Sequence, residues 1–465
     1  MSLPNTKIND VLISSVQWLV NQQSKDGGWP GLAGRKSSTL NTAEAMIALI
    51  DSGKYTGGNE EIKKAVDFLT SHQIVDGKFK GAWSREIPAT TNLPDVIRTA
   101  FSLEALLKAG VGVNAPPVIT GIIWLISIQN KNQDDKAWGF RQGLPDEILP
   151  TCLALLALIQ AYSFSSRVSN DAKKIRESID CALKSLKDKF RGDGFDGKLP
   201  YFGSSEILKP THTLYAVLVL QSARRCSITN GEYLELENKA LEWLQSQNEF
   251  QPIEEHIPID LDRDNPQWDY DFQHMTDTLL IRVLCGSDHK TFNKDNQVAS
   301  KAFISLGKRW HQSKGGFFGY WLFTWSTAKA ISALSLCEKG LLFPPSPEST
   351  LLSQNNIFDY LKLLLSLGEK WPKWKGGGLV TIGIAIGFGI ATIINSQFNF
   401  NSLNLVVILL VIAPIVLAAY NKRLSKSFLA FIAFSIVVIL IISNYISTRT
   451  LNMLIQGVVD HFMKN

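Results

Sequence analysis

The chain has 465 residues, too many for one ordinary hydrophobic core, so at least two folding units are expected. Its net charge of +5 is mild and dispersed, which argues against a nucleic-acid partner. Five cysteines, an odd number with no CxxC pair, lie mostly in apolar helical stretches, which suits reduced buried thiols rather than a disulfide framework.

Taken in chain order, the N-terminus MSLPNTKIND lacks a charged-then-apolar run, so no signal peptide is expected. The stretch SVQWLVNQQSKDGGW (Ser15 to Trp29) then reads as the end of an amphipathic helix, a glycine turn and a tryptophan. A second helix opens near Thr42. One such helical hairpin cannot bury its apolar face alone, but the chain repeats the unit. The second copy has Phe68-Leu69, Gln73, Gly81 and Trp83, with a helix from Thr99. The third has Trp124-Leu125, Gln129 and Trp138, with a helix from Thr151. The fourth, weaker copy has Leu183 and Leu186, then Tyr201-Phe202-Gly203 and a helix from Thr211. The fifth has Trp243-Leu244, Gln247 and Trp268, with Thr276 opening its helix. The sixth has Gln312, Gly315-Gly316-Phe317 and a helix from Thr327. Seven residues after these threonines stand Leu49, Leu106, Leu158, Leu218, Val283 and Leu334, which keeps one stripe of each second helix apolar.

The aromatic-Leu, Gln, Gly and Trp pattern over about Lys7 to Leu342 resembles the QW motif of squalene and other class II terpene cyclases. Protein prenyltransferase β-subunits share it in looser form. The resemblance implies an all-α fold, an (α/α)6 toroid of six helical-hairpin repeats with an inner and an outer ring of helices around a cavity. It also implies that Trp29, Trp83, Trp138 and Trp268 are structural, stacking between helices, while Trp321 and Trp325, outside the motif, line the cavity with Tyr215 and His212.

Beyond the repeats, residues 343–376 read as a Pro-rich joint and an amphipathic helix with Trp371, Trp374 and lysines at its end. Residues 377–447 contain three apolar runs, Leu379 to Ile394, Leu403 to Tyr420 and Phe428 to Ile446, expected to be three transmembrane helices. Residues 448–465 form a tail. Lys370, Lys373 and Lys375 precede the first run, and Lys422, Arg423 and Lys426 follow the second. This bias predicts an integral membrane protein with the toroid in the cytoplasm.

A cyclase acid must be protonated, desolvated and hydrogen-bonded, and the family supplies it from a DxDD motif that this chain lacks. Asp95 occupies the first aspartate's place, with Ile97 and Arg98 at the others. The richest carboxylate run is IDLDRDNPQWDYDFQHMTDT, read as a loop because of Pro258 and Pro266. Within it Asp262, Asp264 and Asp277 are the candidate catalytic residues, and alternating carboxylates are able to hold Mg2+ against a diphosphate. The prenyltransferase zinc ligands have partial counterparts in Cys152 and in His212, each expected one position after its repeat threonine, but Pro150 stands in place of the aspartate. No zinc is therefore expected. Two functional readings follow. One is a membrane-anchored cyclase- or prenyltransferase-like protein that takes an isoprenoid, a membrane lipid or another long apolar ligand, with catalysis left open. The other is a non-catalytic toroid sensing a lipid, peptide or protein partner within a membrane effector of bacterial stress or defence signalling.

Overall fold

A computed structural model of the chain describes residues 6–32, 34–84, 93–130, 136–165, 170–192, 194–195, 209–247, 253–260, 267–285, 297–318, 324–337 and 341–343. The chain divides into two units, Met1–Asn356 and Ile357–Asn465, and every described residue belongs to the first.

Twelve helices are found among the described residues, in six consecutive pairs. They are α1 (Ile8–Asn21) and α2 (Thr39–Asp51), α3 (Glu60–Ser71) and α4 (Val96–Lys108), α5 (Pro116–Ile128) and α6 (Ile148–Phe164). The remaining pairs are α7 (Asn170–Asp188) and α8 (Lys209–Arg225), α9 (Gly231–Ser246) and α10 (Thr276–Cys285), and α11 (Gln297–Gly307) and α12 (Thr324–Leu334). Local signals set several starts. Ser38 caps α2 by accepting from the Asn41 amide at 3.2 Å, Asp95 caps α4 by accepting from the Arg98 amide at 2.7 Å, and Pro116 opens α5.

The even-numbered helices form a closed inner ring. Each packs on the next, from α2 through α4, α6, α8 and α10 to α12, and α12 packs back on α2. The odd-numbered helices lie outside, each against an inner helix: α3 on α2, α5 on α4, α7 on α6, α9 on α8, α11 on α10 and α1 on α12. The inner helices are buried nearly all round, which explains why their sequences are apolar on every face. The seam is sewn by backbone, since β1 (Thr6–Lys7) pairs antiparallel with β8 (Leu342–Phe343), and the Ile8 amide donates to the Leu341 carbonyl at 3.0 Å. The expected toroid is a closed ring.

Each repeat is locked by the same few atoms. The Trp29, Trp83 and Trp138 indoles are fully buried and donate to Leu19, Leu69 and Leu125 carbonyls at 2.7, 2.7 and 2.8 Å. Their backbone amides donate to Thr42, Thr99 and Thr151 hydroxyls at 2.9, 3.2 and 3.1 Å. The glutamine of each unit reaches into the next one. Gln23, Gln73 and Gln129 donate both to a carbonyl of their own turn and to Glu61, Pro117 and Ser178 carbonyls of the following outer helix, at 2.9, 2.8 and 3.0 Å. Gly81 must be glycine, because its φ is +95° and a Cβ there would stand 2.2 Å from the Thr120 carbonyl oxygen on α5.

Three expectations are corrected. The fourth repeat makes its amide–hydroxyl bond between Phe195 and Thr213, at 3.0 Å, rather than at Thr211, and Tyr201-Phe202 lie outside the described residues. The fold is not purely helical. Short strand pairs join β2 (Trp29–Pro30) to β3 (Ser37–Ser38) and β6 (Trp310–His311) to β7 (Gly316–Phe317). The largest is an antiparallel hairpin of β4 (Ile253–Asp260) and β5 (Gln267–His274), in the stretch expected to be an acidic loop. Pro258 is tolerated there because the register shifts on both sides of it, so its missing N–H interrupts no regular ladder. Trp268 is Pro258's register partner. Finally, the toroid-plus-three-spans architecture and its integral-membrane placement are corrected to a helical toroid in which no described helix spans a membrane. Among the described residues no helix is long and apolar enough to cross a membrane, and the runs 379–394, 403–420 and 428–446 lie outside them.

Candidate functional site

The β4–β5 hairpin touches three inner helices that alternate around the ring. Phe272 lies with its ring centroid 6.4 Å from that of Phe101 on α4. Glu255 meets His212 on α8 at 3.3 Å, and His274 lies edge-on to Tyr215 of the same helix at 5.7 Å. The Lys329 ammonium of α12 stands 5.2 and 5.3 Å from the Phe101 and Phe272 ring centroids. Since α4, α8 and α12 are separated by intervening inner helices, a segment in contact with all three occupies the middle of the ring. The site is therefore central.

Its lining is a chain of aromatic rings with charges set between them. Phe101, Phe272, His274 and Tyr215 follow one another, with His274 4.9 Å from Phe272 and edge-on to it. Lys329 pairs with Glu44 of α2 at 3.0 Å. Glu255 accepts from both imidazoles through Oε2, His274 Nε2 at 2.9 Å and His212 Nε2 at 3.3 Å. All of these side chains are buried except Lys329, whose side chain is 10% exposed.

The electrostatics follow from that burial. Desolvation opposes the Glu255 charge, but the His212 charge and the hydrogen bonds from His212 and His274 overcome it and bring its pKa from 4.5 down to about 2. Burial pushes His274 below the ordinary histidine value, partly offset by Glu255. Lys329 is opposed by burial and held above its ordinary value by Glu44 and Tyr215, so it remains an ammonium. At the N-cap of α6, burial raises the Glu147 carboxyl to about 8; Lys189 counters this, while Glu255 and Asp146 add to it. Burial also raises the Tyr215 phenol and the Cys152 thiol.

The sequence-predicted residues separate into distinct places. His212 and Tyr215 lie in the central cluster. Trp325 is half-buried on α12, packed against the core. Asp262, Asp264 and Trp321 lie outside the described residues. Asp277 is fully buried and accepts from Ser305 Oγ and Arg309 Nε, both at 3.0 Å, which ties α10 to α11 in the outer ring. Asp95 is bound to Arg98 in an ion pair and caps α4. His212 precedes its repeat threonine, Thr213, whereas Cys152 follows Thr151, so the expected equal height of these two residues is corrected. Among the described residues no group of three or more His, Cys, Asp or Glu side chains is arranged to hold a metal ion. Sequence reasoning missed Glu44, Glu147, Glu255, Phe272 and Lys329. One signal was available, because Lys329 follows Thr327 by two positions and places a charge within an otherwise small and apolar inner helix.

No protein-family model matches the chain. Over 144 residues it is 30% identical to drimenyl diphosphate synthase from Streptomyces showdoensis, a stretch equal to 30% of this chain and 25% of that protein. The chain thus spans about a quarter of the length of the curated relative it matches. The local likeness is to a terpene cyclase. Similar solved structures include a type II terpene cyclase from Scytonema in complex with merosterolic acid A, at 11% identity over 71% of this chain and 96% of that one, with a TM-score of 0.46. They also include a family 76 glycoside hydrolase from a bovine Bacteroides thetaiotaomicron strain (12%, 71% and 77%, TM-score 0.49). A cellobiose 2-epimerase from Bacillus thermoamylovorans is a third (11%, 71% and 98%, TM-score 0.48). The toroid itself rests on the closed ring of contacts within this chain.

Proposed function

We propose that this terpene-cyclase-like toroid binds an isoprenoid or another long apolar ligand at its centre. The observation that carries the reading is the run of ring contacts Phe101–Phe272–His274–Tyr215 inside a closed helical ring. Aromatic walls offer a large apolar surface, and their faces favour both alkenes and positive charge. The 144-residue likeness to drimenyl diphosphate synthase supports the same ligand class.

A second reading, that the toroid holds its ligand without converting it, draws on two specific observations. Lys329 already stands over the faces of Phe101 and Phe272, where a developing carbocation would need them. Asp95, in the family's acid position, is neutralised by Arg98. The test is to identify by mass spectrometry the lipid that co-purifies with the chain, then to incubate the protein with geranylgeraniol and analyse the extract. Recovery of an isoprenoid unchanged supports a binding protein, a cyclised product supports an enzyme, and no retained apolar molecule in either step removes the proposal.

A further inference from the structure

The hairpin at the centre of the ring presents a carboxylate and a phenyl ring to inner helices that belong to other repeats. Glu255 faces His212, and Phe272 faces Phe101 with the Lys329 ammonium beside it. Facing these groups from α8, His212 Nδ1 and the Tyr215 hydroxyl are buried without a hydrogen-bond partner among the described residues. Buried polar atoms in a finished core are almost always paired, so two unpaired ones on one helix mark a place where a partner is supplied from elsewhere. His212 and Tyr215 are 1% and 2% exposed, so bulk water does not fill that role.

We propose that β4–β5 occupies a ligand site in cis, and that Glu255 and Phe272 stand where the ligand's own groups go. The ligand then carries an anionic head group, received by His212, and an unsaturated apolar body, received by Phe101 and Lys329. This rests on the reading that the ring takes an apolar ligand and adds the chemistry of its head. The charge follows from what withdrawal of the hairpin leaves behind. His212 Nε2 is left without the carboxylate oxygen that faces it at 3.3 Å, and another oxyanion takes that acceptor position where an apolar group does not. Lys329 is already paired with Glu44, so it requires no second anion and serves the body of the ligand through its place beside the rings. Tyr215, three residues along α8 from His212, shares its helix face and offers its hydroxyl to the same head group.

A carboxylate and a phosphate share this chemistry, and three probes with one tail distinguish them. Farnesoic acid, farnesyl diphosphate and farnesol are titrated against the full chain. One of the two anions is expected to bind about tenfold tighter than the alcohol, and the tighter one identifies the head group. His212→Gln should bring the anion down to the alcohol's affinity while leaving the alcohol unchanged. Glu255→Gln, which weakens the internal competitor, should tighten the anion by about tenfold. A wild-type measurement needs no variant: the anion should increase amide hydrogen exchange across Ile253–Asp260 and Gln267–His274. Equal affinity for all three probes, or an anion that binds with hairpin exchange unchanged, overturns the proposal and leaves the apolar-ligand reading standing. Failure of all three probes to bind removes both.

Discussion

Glu255 on β4 and His212 on α8 meet at 3.3 Å in the middle of the ring, 43 positions apart in the chain. The contact fixes the hairpin to an inner helix and makes that attachment sensitive to acid. Folding lowers the Glu255 pKa from 4.5 to about 2, so the stability its charge contributes is fully present above pH 4.5 and is lost as pH falls toward 2. In urea unfolding, Glu255→Gln should be less stable than wild type at pH 7, and the gap should close progressively between pH 4.5 and pH 3. A gap that stays constant over that range contradicts the assignment.

Glu147 has the opposite sign. Its folded pKa is raised from 4.5 to about 8, so the folded state holds a proton that the unfolded chain releases. Stability should therefore fall as pH rises between those values and level off above pH 8. Glu147→Gln removes this slope, and at pH 8.5 it should be more stable than wild type by roughly 1–3 kcal/mol. Parallel stability curves for the two proteins would exclude a raised Glu147.

The repeat glutamines should not be equivalent. Gln73 bridges Gly81 and Pro117 carbonyls at 2.8 Å each, whereas Gln247 donates to Trp243 of its own helix at 3.2 Å and to Ser246. Gln73→Ala should cost about 1–3 kcal/mol in denaturant unfolding, since it strands the buried Gly81 carbonyl and the half-buried Pro117 carbonyl. Gln247→Ala should stay within about 0.5 kcal/mol of wild type. Equal losses would mean the link between units is not what holds the ring.

The fourth repeat offers a similar comparison. Phe195 donates its amide to the Thr213 hydroxyl at 3.0 Å, as Trp83 does to Thr99. Thr213→Val preserves shape but leaves a buried N–H unpaired, and should cost about 1–3 kcal/mol by thermal or urea unfolding. A neutral result would show that the repeat's lock lies elsewhere.

What the sequence made legible was whatever repeats locally. The recurring threonine, glutamine and tryptophan announced helix pairs, because each repeat solves the same hydrogen-bonding problem with the same side chains. The fourth copy was misread because Tyr201-Phe202 is richer in aromatics than Phe195, and Thr211 and Thr213 stand two apart. The hairpin was hidden by Pro258, whose cost a register shift absorbs. The central site was largely illegible. Phe101, His212, Phe272 and Lys329 come from three helices and a hairpin, and no local pattern links residues brought together only when the ring closes.

The central claim is that this closed ring receives an apolar isoprenoid chain against Phe101. Equilibrium binding of radiolabelled geranylgeraniol to the purified chain tests it most directly, with Phe101→Ala measured beside wild type and both checked for retained helicity. We expect one ligand per wild-type chain and at least about tenfold weaker binding in the variant, the loss of a large aromatic contact being on that scale. Absence of saturable binding to wild type, or equal binding by a folded Phe101→Ala protein, would contradict it.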